Sequence, residues 1–283
     1  MDEKKRENID ATASSLSGIG GLFETLVRKF RLLIHILFMM PMYLLSAITL
    51  GLPLVPTFYW CSLVYSYTST WPQFGRFVAW GLALAIGFLI WGFTLLLLVP
   101  LMNFLLPTRI KPWRGIYYSL QSIPWYIHNG LTYLPRYTFL EFVTPTPFNH
   151  MFYRLMGMKM GRGAQINTTN ISDPRLIELG DKVTIGGSVT IVCHYGSAGY
   201  LIIAPVKIRK GATIGLRAII MGDVEIGENA RVLPNSVVMP KTRIPAGEIW
   251  GGVPAQYLPE LNKKDLSDKA SKDAAPATPD NKA

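Results

Sequence analysis

Between Ile202 and Glu248 an aliphatic residue returns at every sixth position: Ile202, Ile208, Ile214, Ile220, Ile226, Val232, Val238 and Ile244. Four residues after each comes a small or β-branched one, Val206, Ala212, Ala218, Val224, Ala230, Ser236 and Thr242, until Glu248 ends the series. A period of six fits neither an α-helix nor the two-residue alternation of a half-buried sheet. It is the period of a solenoid of hexapeptide repeats, where each short strand turns one aliphatic side chain inward and buries it against neighbouring coils. Three hexads, about eighteen residues, close one triangular coil around a dry aliphatic column. Gly211, Gly215, Gly222 and Gly227 fall at the turns, where they are expected to supply backbone freedom.

The repeat begins irregularly near Met160–Ile166, passes through Thr168 to Asp173, and regains its period at Leu179, Ile185 and Ile191. Then the phase slips. Ile191 to Ile202 is eleven residues instead of twelve, across the segment Val192-Cys193-His194-Tyr195-Gly196-Ser197-Ala198-Gly199-Tyr200-Leu201. A loop that interrupts a strict repeat is where function is usually carried.

Upstream the pattern is different. Leu32 to Phe74 contains no Asp, Glu, Lys or Arg, and after Arg76 a second uncharged run extends from Phe77 to Thr108. Each exceeds the roughly twenty residues needed to cross a bilayer. The first span is expected over Leu32–Leu50 with Pro41 inside it, the second from Phe77 to near Leu98, ended by Pro100. Trp60, Trp71, Trp80 and Trp91 suit the headgroup level. Basic residues flank the pair, Arg28, Lys29 and Arg31 before and Arg109, Lys111 and Arg114 after, with Arg76 alone between; this places both ends in the cytoplasm. His35 is the only ionisable residue in the spans, which argues against a channel or transporter.

Residues 1–29 are polar and mixed in charge, with Ser and Gly marking a flexible lead-in and no signal-peptide layout. Residues 109–159 mix aromatics, sparse basic residues and prolines, suited to short amphipathic helices in the membrane interface; His128 and His150 read there as interfacial or capping residues. The expected division is a cytoplasmic N-terminus over 1–29, two transmembrane helices over 30–108, an interfacial connector over 109–159, the repeat domain over 160–259, and a disordered tail over 260–283.

Composition agrees with lipid contact. The chain has 283 residues, 49% hydrophobic and 16% charged, with a mean hydropathy of +0.25, too apolar for an ordinary soluble protein. The net charge of +10 is concentrated beside the spans, where Arg109 to Arg162 carries seven basic residues against Glu141 alone. That favours anionic headgroups over nucleic acid as the partner. Cys61 and Cys193 lie in different domains and form no disulfide framework.

His194, the only histidine of the repeat domain, opens the phase-breaking loop. A neutral imidazole can take a proton from a hydroxyl or amine at cytosolic pH when its other nitrogen is held by a carbonyl or carboxylate. Cys193 is adjacent in an extended segment and faces the opposite side, so it reads as a buried filler rather than a nucleophile paired with His194. A catalytic zinc wants three protein ligands, commonly histidines, and one histidine does not supply them.

Cys193-His194-Tyr195, a short glycine-containing loop, the run from Ala204 to Gly215, the run from Val237 to Gly247, and Trp250-Gly251-Gly252-Val253-Pro254-Ala255-Gln256 together resemble the hexapeptide acyltransferases. The likeness is to maltose, galactoside and xenobiotic O-acetyltransferases, and to membrane-bound hexapeptide proteins related to the carboxy-terminal region of certain peptide synthetases. It covers about Phe148 to Leu258. The resemblance implies a left-handed coil, acetyl-CoA as co-substrate with no permanently bound cofactor or metal, a homotrimer with sites between subunits, and His194 as general base. It also places Asn170 and Asp173 near the acceptor, and Gly215, Ala218, Lys241 and Pro254 beside the CoA arm. The sequence departs from the soluble enzymes at Gln256, where a basic residue often stands, and in its membrane spans.

The expectation is therefore a mainly β protein, a left-handed parallel β-helix preceded by an α-helical two-span transmembrane region. It would be a multi-pass protein of the inner, cytoplasmic membrane with its solenoid in the cytosol. Its reaction would move an acetyl or short acyl group from acetyl-CoA to a hydroxyl or amine of a membrane-associated acceptor, such as a lipid-linked glycan or envelope precursor. The alternative is a non-catalytic scaffold that docks partners at the membrane.

Overall fold

A computed structural model describes residues 12–14 and 16–262, so the first eleven residues and nearly all of the expected tail lie outside the described residues. Four helices come first: α1 (Gly18–Lys29), α2 (Arg31–Gly51), α3 (Leu54–Tyr67) and α4 (Gln73–Leu105). The helix α1 occupies a stretch expected to be flexible. Its Glu24 and Arg28 lie one turn apart, both buried and ion-paired, and Arg28 and Lys29 in its last turn suit the negative end of the helix dipole.

The apolar segments are helical but bounded differently from the expected spans. Among the described residues, Met39–Tyr67 and Gln73–Leu105 are the two helical stretches long and apolar enough to cross a membrane. Pro100, expected to end the second, lies inside α4 with Leu95, Leu96 and Val99, all buried. A proline missing its N–H is tolerated in such a helix when neighbouring elements support it. The outer faces are not core: Met40, Tyr43, Leu44, Phe58, Tyr59, Leu82 and Leu84 are exposed, an apolar surface that water does not favour. Three of the tryptophans lash helices together rather than simply marking the headgroup level. Trp60 Nε1 donates to the Ala83 carbonyl at 3.1 Å, Trp91 Nε1 to the Leu50 carbonyl at 3.0 Å, and Trp80 Nε1 to the Thr68 hydroxyl at 3.3 Å.

The connector contains a strand, Trp113–Ile116, the helix α5 (Ile123–Pro135), a π turn over Arg136–Leu140, and α6 (Pro147–Leu155). The helix α5 packs against α2 and α4. His128 is fully buried, with Nδ1 2.8 Å from Asn103 Oδ1 of α4. His150 caps the first coil, its Nε2 accepting the Ile166 N–H at 3.1 Å.

Parallel strands then stack on three sides. Ile166, Ile185, Ile214, Val232 and Trp250 pair in sequence along one side, Met160, Leu179, Ile208, Ile226 and Ile244 along the second, and Ile191, Ile220 and Val238 along the third. From Ile208 on, partners are 18 residues apart (Ile208 to Ile226 to Ile244), one triangular coil. Between the ends these side chains are at most 3% exposed, with Ala212, Ala218, Ala230 and Ser236 filling the space beside them. One coil is longer: Ile185 to Ile214, Ile191 to Ile220 and Leu179 to Ile208 each span 29 residues. The extra eleven residues form the phase-breaking loop. Ile202 belongs to that loop and is part-exposed, so the inward series starts at Ile208, not at Ile202.

The turn chemistry also differs from the expected one. Three residues after each inward aliphatic the chain enters the left-handed region, and the position holds Arg217, Asp223, Asn229, Asn235 or Lys241 as readily as Gly211 and Gly247. Gly215 and Gly227 serve proximity instead. A Cβ on either would lie 2.5 Å from a backbone nitrogen of the next coil, Pro234 or Ala246.

Candidate active site

The eleven-residue insertion folds outward as a hairpin, His194–Ser197 against Tyr200–Ile203, and Trp113–Ile116 of the connector adds a third antiparallel strand. His194 stands at the root of this sheet, opposite Ile203 and in line with Trp113. Asp173 reaches the same place from the previous coil. Ile171 bridges to Ile191 and Ser172 N donates to the Ile191 carbonyl at 3.0 Å, so the two chains leave the prism together. Asp173 adopts φ 56°, a left-handed conformation that Asp tolerates better than most residues, and Pro174 opens a short 3-10 turn after it.

His194 Nδ1 lies 2.6 Å from Asp173 Oδ2. The same oxygen accepts the Cys193 backbone N–H at 3.2 Å, and Oδ1 accepts Asn129 Nδ2 at 2.7 Å. Three donors thus converge on a carboxylate that is 0% exposed, whereas the His194 side chain is 22% exposed. Asp173, expected near the acceptor, therefore stands behind the imidazole with its side chain buried. A buried acceptor on Nδ1 keeps the proton on that nitrogen and leaves the lone pair on Nε2.

The neighbouring residues are sewn to the connector in register. Thr169 Oγ1 donates to Glu141 Oε2 at 2.5 Å, Arg136 Nη2 to Asn170 Oδ1 at 2.6 Å, and Tyr133 Oη lies 3.0 Å from Ser172 Oγ. With Asn129 on Asp173, four contacts climb α5 and the π turn while descending from Asp173 to Thr169. Asn170, expected beside the acceptor, is half-buried and holds the Arg136 guanidinium, which also lies over the Tyr133 and Tyr137 rings. One turn before Asn129, the Trp125 ring meets His194 edge to face at 4.9 Å. Trp125, Asn129, Tyr133 and Arg136 belong to none of the sequence motifs, although their spacing of four, four and three places them on one helical face.

Cys193 is fully buried, and burial pushes its thiol well up, so it remains a protonated filler. Of the residues expected along the CoA arm, Lys241 and Pro254 are exposed, Gly215 is part-exposed against Pro234, and the Ala218 methyl is fully buried in the stack. Among the described residues no three His, Cys, Asp or Glu side chains come together as a metal site would require.

No family model matches the sequence. The chain is 24% identical over 115 residues to a delta-poly-L-ornithine synthetase of Acinetobacter baumannii, a match covering 41% of this chain and 9% of that protein. It is 32% identical over 101 residues to the mitochondrial gamma carbonic anhydrase 2 of Arabidopsis thaliana, covering 35% of this chain and 36% of that one. A maltose O-acetyltransferase from Clostridium difficile 630 is similar in structure, with a TM-score of 0.38, 20% identity, and coverage of 52% and 91% of the two chains. The chain thus spans well under two thirds of the length of these curated relatives, and what it resembles over part of its length is a set of hexapeptide-repeat proteins.

Proposed function

We propose that the protein is a membrane-anchored acyltransferase that uses acetyl-CoA and carries its general base on His194. The observation that supports this reading most is the 2.6 Å contact between His194 Nδ1 and the buried carboxylate of Asp173, on the loop whose Cys-His-Tyr run resembles the hexapeptide acyltransferases. In the reaction the acceptor O–H (or N–H) gives its proton to His194 Nε2 as the heteroatom attacks the thioester carbonyl. The tetrahedral adduct collapses, the C–S bond breaks, and the imidazolium returns the proton to the departing CoA sulfur. Asp173 stays ionised throughout and stabilises the imidazolium, as a buried orienting carboxylate does.

The anchoring part of the proposal draws on two long helical stretches whose apolar side chains are exposed, and on the basic residues flanking them; in this reading the repeat domain faces the cytoplasmic side of the inner membrane. The left-handed coil and a homotrimer with Lys241 and Pro254 near the CoA arm belong to the same proposal. A hydratase, the activity named for the carbonic anhydrase relative, calls for several metal ligands, and among the described residues no three His, Cys, Asp or Glu side chains come together to supply them.

The test is binding followed by transfer. The full-length protein in nanodiscs should melt at a temperature that climbs with CoA concentration, because a ligand bound only by the folded state stabilises it in proportion to ln(1 + [L]/Kd). Radiolabel from acetyl-CoA should then appear in a membrane extract. A non-catalytic scaffold shows neither.

A further inference from the structure

A cavity of about 360 Å³ lies beside the site and takes no part in the proton transfers above. Its walls are Phe23 and Val27 of α1, Leu37 and Pro41 of α2, and, after them, Tyr117 to Leu120, Ser122, Ile123 and Tyr126. The lining is almost wholly hydrocarbon and aromatic. The Ser122 hydroxyl is already spent, donating within 2.8 Å of the Tyr117 carbonyl and 2.7 Å of the Ser119 carbonyl. Such a space, sized like a small-molecule site, suits an apolar ligand.

Its position links it to His194 on two sides. The Tyr126 ring on the cavity wall packs against Trp125 at 4.8 Å, and Trp125 packs against His194 at 4.9 Å, so one aromatic layer separates the cavity from the base. Tyr117, also on the wall, places its hydroxyl against Gly196 of the hairpin, where a Cβ would lie 2.9 Å away. At the other end the wall is open: Phe23 and Leu37 are 50% and 60% exposed, and α2 continues into Met40, Tyr43 and Leu44, which are exposed too. The cavity is continuous with this exposed apolar surface of α2.

We propose that this cavity holds an alkyl chain of the acceptor, which is therefore a membrane lipid whose head group carries the hydroxyl or amine to be acylated. This rests on the acyltransferase reading and specifies its substrate class. The chain enters between α1 and α2 from the bilayer, and its head group emerges past Tyr117 and Trp125 at His194. A soluble donor with a two-carbon acyl group has nothing to place in such a space.

The experiment uses the full-length protein in nanodiscs that contain a phospholipid with a diazirine in its acyl chain. After irradiation, adducts are mapped by peptide mass spectrometry. Adducts are expected between Tyr117 and Tyr126 and at Val27, in addition to those on the outer face of α4 around Leu82 and Leu84. Ile123→Trp, which fills the cavity, should remove most of the Tyr117–Tyr126 adducts and leave the α4 adducts in place. Wild-type adducts confined to the outer faces of α2, α3 and α4 overturn the proposal without recourse to any variant, as do cavity adducts that persist in Ile123→Trp. A diazirine-bearing long-chain acyl-CoA that labels the cavity in preference to the lipid assigns it to the donor and equally overturns it. His194→Ala should keep the cavity adducts. If wild-type protein shows them but neither binds CoA nor transfers acetyl, the transfer reading fails while the hydrocarbon site itself stands.

Discussion

His194 Nδ1 and Asp173 Oδ2 stand 2.6 Å apart although 21 residues separate them in the chain. The distance is short because Ile171 bridges to Ile191 on neighbouring coils, so that both chains depart from the prism at one point. The repeat thus acts as a rigid frame that delivers a base and its orienting acid from different coils.

Every neighbour of the Asp173 carboxylate is a donor: Asn129 Nδ2, the Cys193 N–H and His194 Nδ1. Asp173→Asn must turn its amide N–H toward one of them, and where that one is His194 the imidazole adopts the wrong tautomer. Turnover should fall about a hundredfold or more with little change in the Km for acetyl-CoA. A variant that keeps wild-type turnover would separate Asp173 from the chemistry.

Asn129 connects the helical region to the site. Asn129→Ala leaves Asp173 Oδ1 without that partner in a buried setting, a loss of about 1–3 kcal/mol. Both melting temperature and kcat should drop, whereas the apparent affinity for CoA, measured by thermal shift, should hold. Unchanged kcat in a destabilised protein would confine Asn129 to a structural role.

His128 supplies a pH dependence. Burial pushes its pKa down to about 4 from 6.5, with nearby Asp173 pulling up and Arg175 pushing down. The folded chain therefore keeps a neutral imidazole where the unfolded chain takes up a proton. Stability is full above pH 6.5 and declines as pH falls toward 4, by about 3 kcal/mol across that window. Melting curves at pH 7.5 and 5 should show the decline, and His128→Gln, which retains a polar partner for Asn103, should flatten it. An equal slope in the variant rules His128 out as the source.

Two glycines separate crowding from backbone strain. A Cβ at Gly215 would sit 2.5 Å from Pro234 N, so Gly215→Ala should cost about 1–3 kcal/mol as the coils are forced apart. Gly247 has φ +72° with open space around it, and equivalent turns already accept Asn229 and Asn235. Gly247→Asn should change stability by less than about 0.5 kcal/mol. Calorimetry that found the reverse order would overturn this reading of the turns.

The repeat was legible because a six-residue period writes itself directly into the aliphatic positions, and the uncharged runs announced the long helices. Ile202 carries the period without the phase: in its hairpin strand the neighbours Leu201 and Ile203 are the buried positions, and Ile202 itself is part-exposed. Pro100 looked like a helix end because sequence does not show the packing around Val99 that sustains α4. Of the site, His194 stood out as the one repeat-domain histidine on the broken repeat. The place of Asp173 near the acceptor comes from the resemblance alone, and nothing local in the sequence shows that its carboxylate turns to His194. Trp125 and Asn129 lie far upstream, and only the fold of α5 across Thr169–Asp173 brings them to the imidazole.

The central claim is that His194 abstracts the acceptor proton. Its most direct measurement is the rate of label transfer from acetyl-CoA to membrane acceptors by wild-type protein and His194→Ala, both in nanodiscs and both shown to bind CoA equally. The account predicts a loss of about a hundredfold or more in the variant; transfer by His194→Ala at the wild-type rate would contradict it.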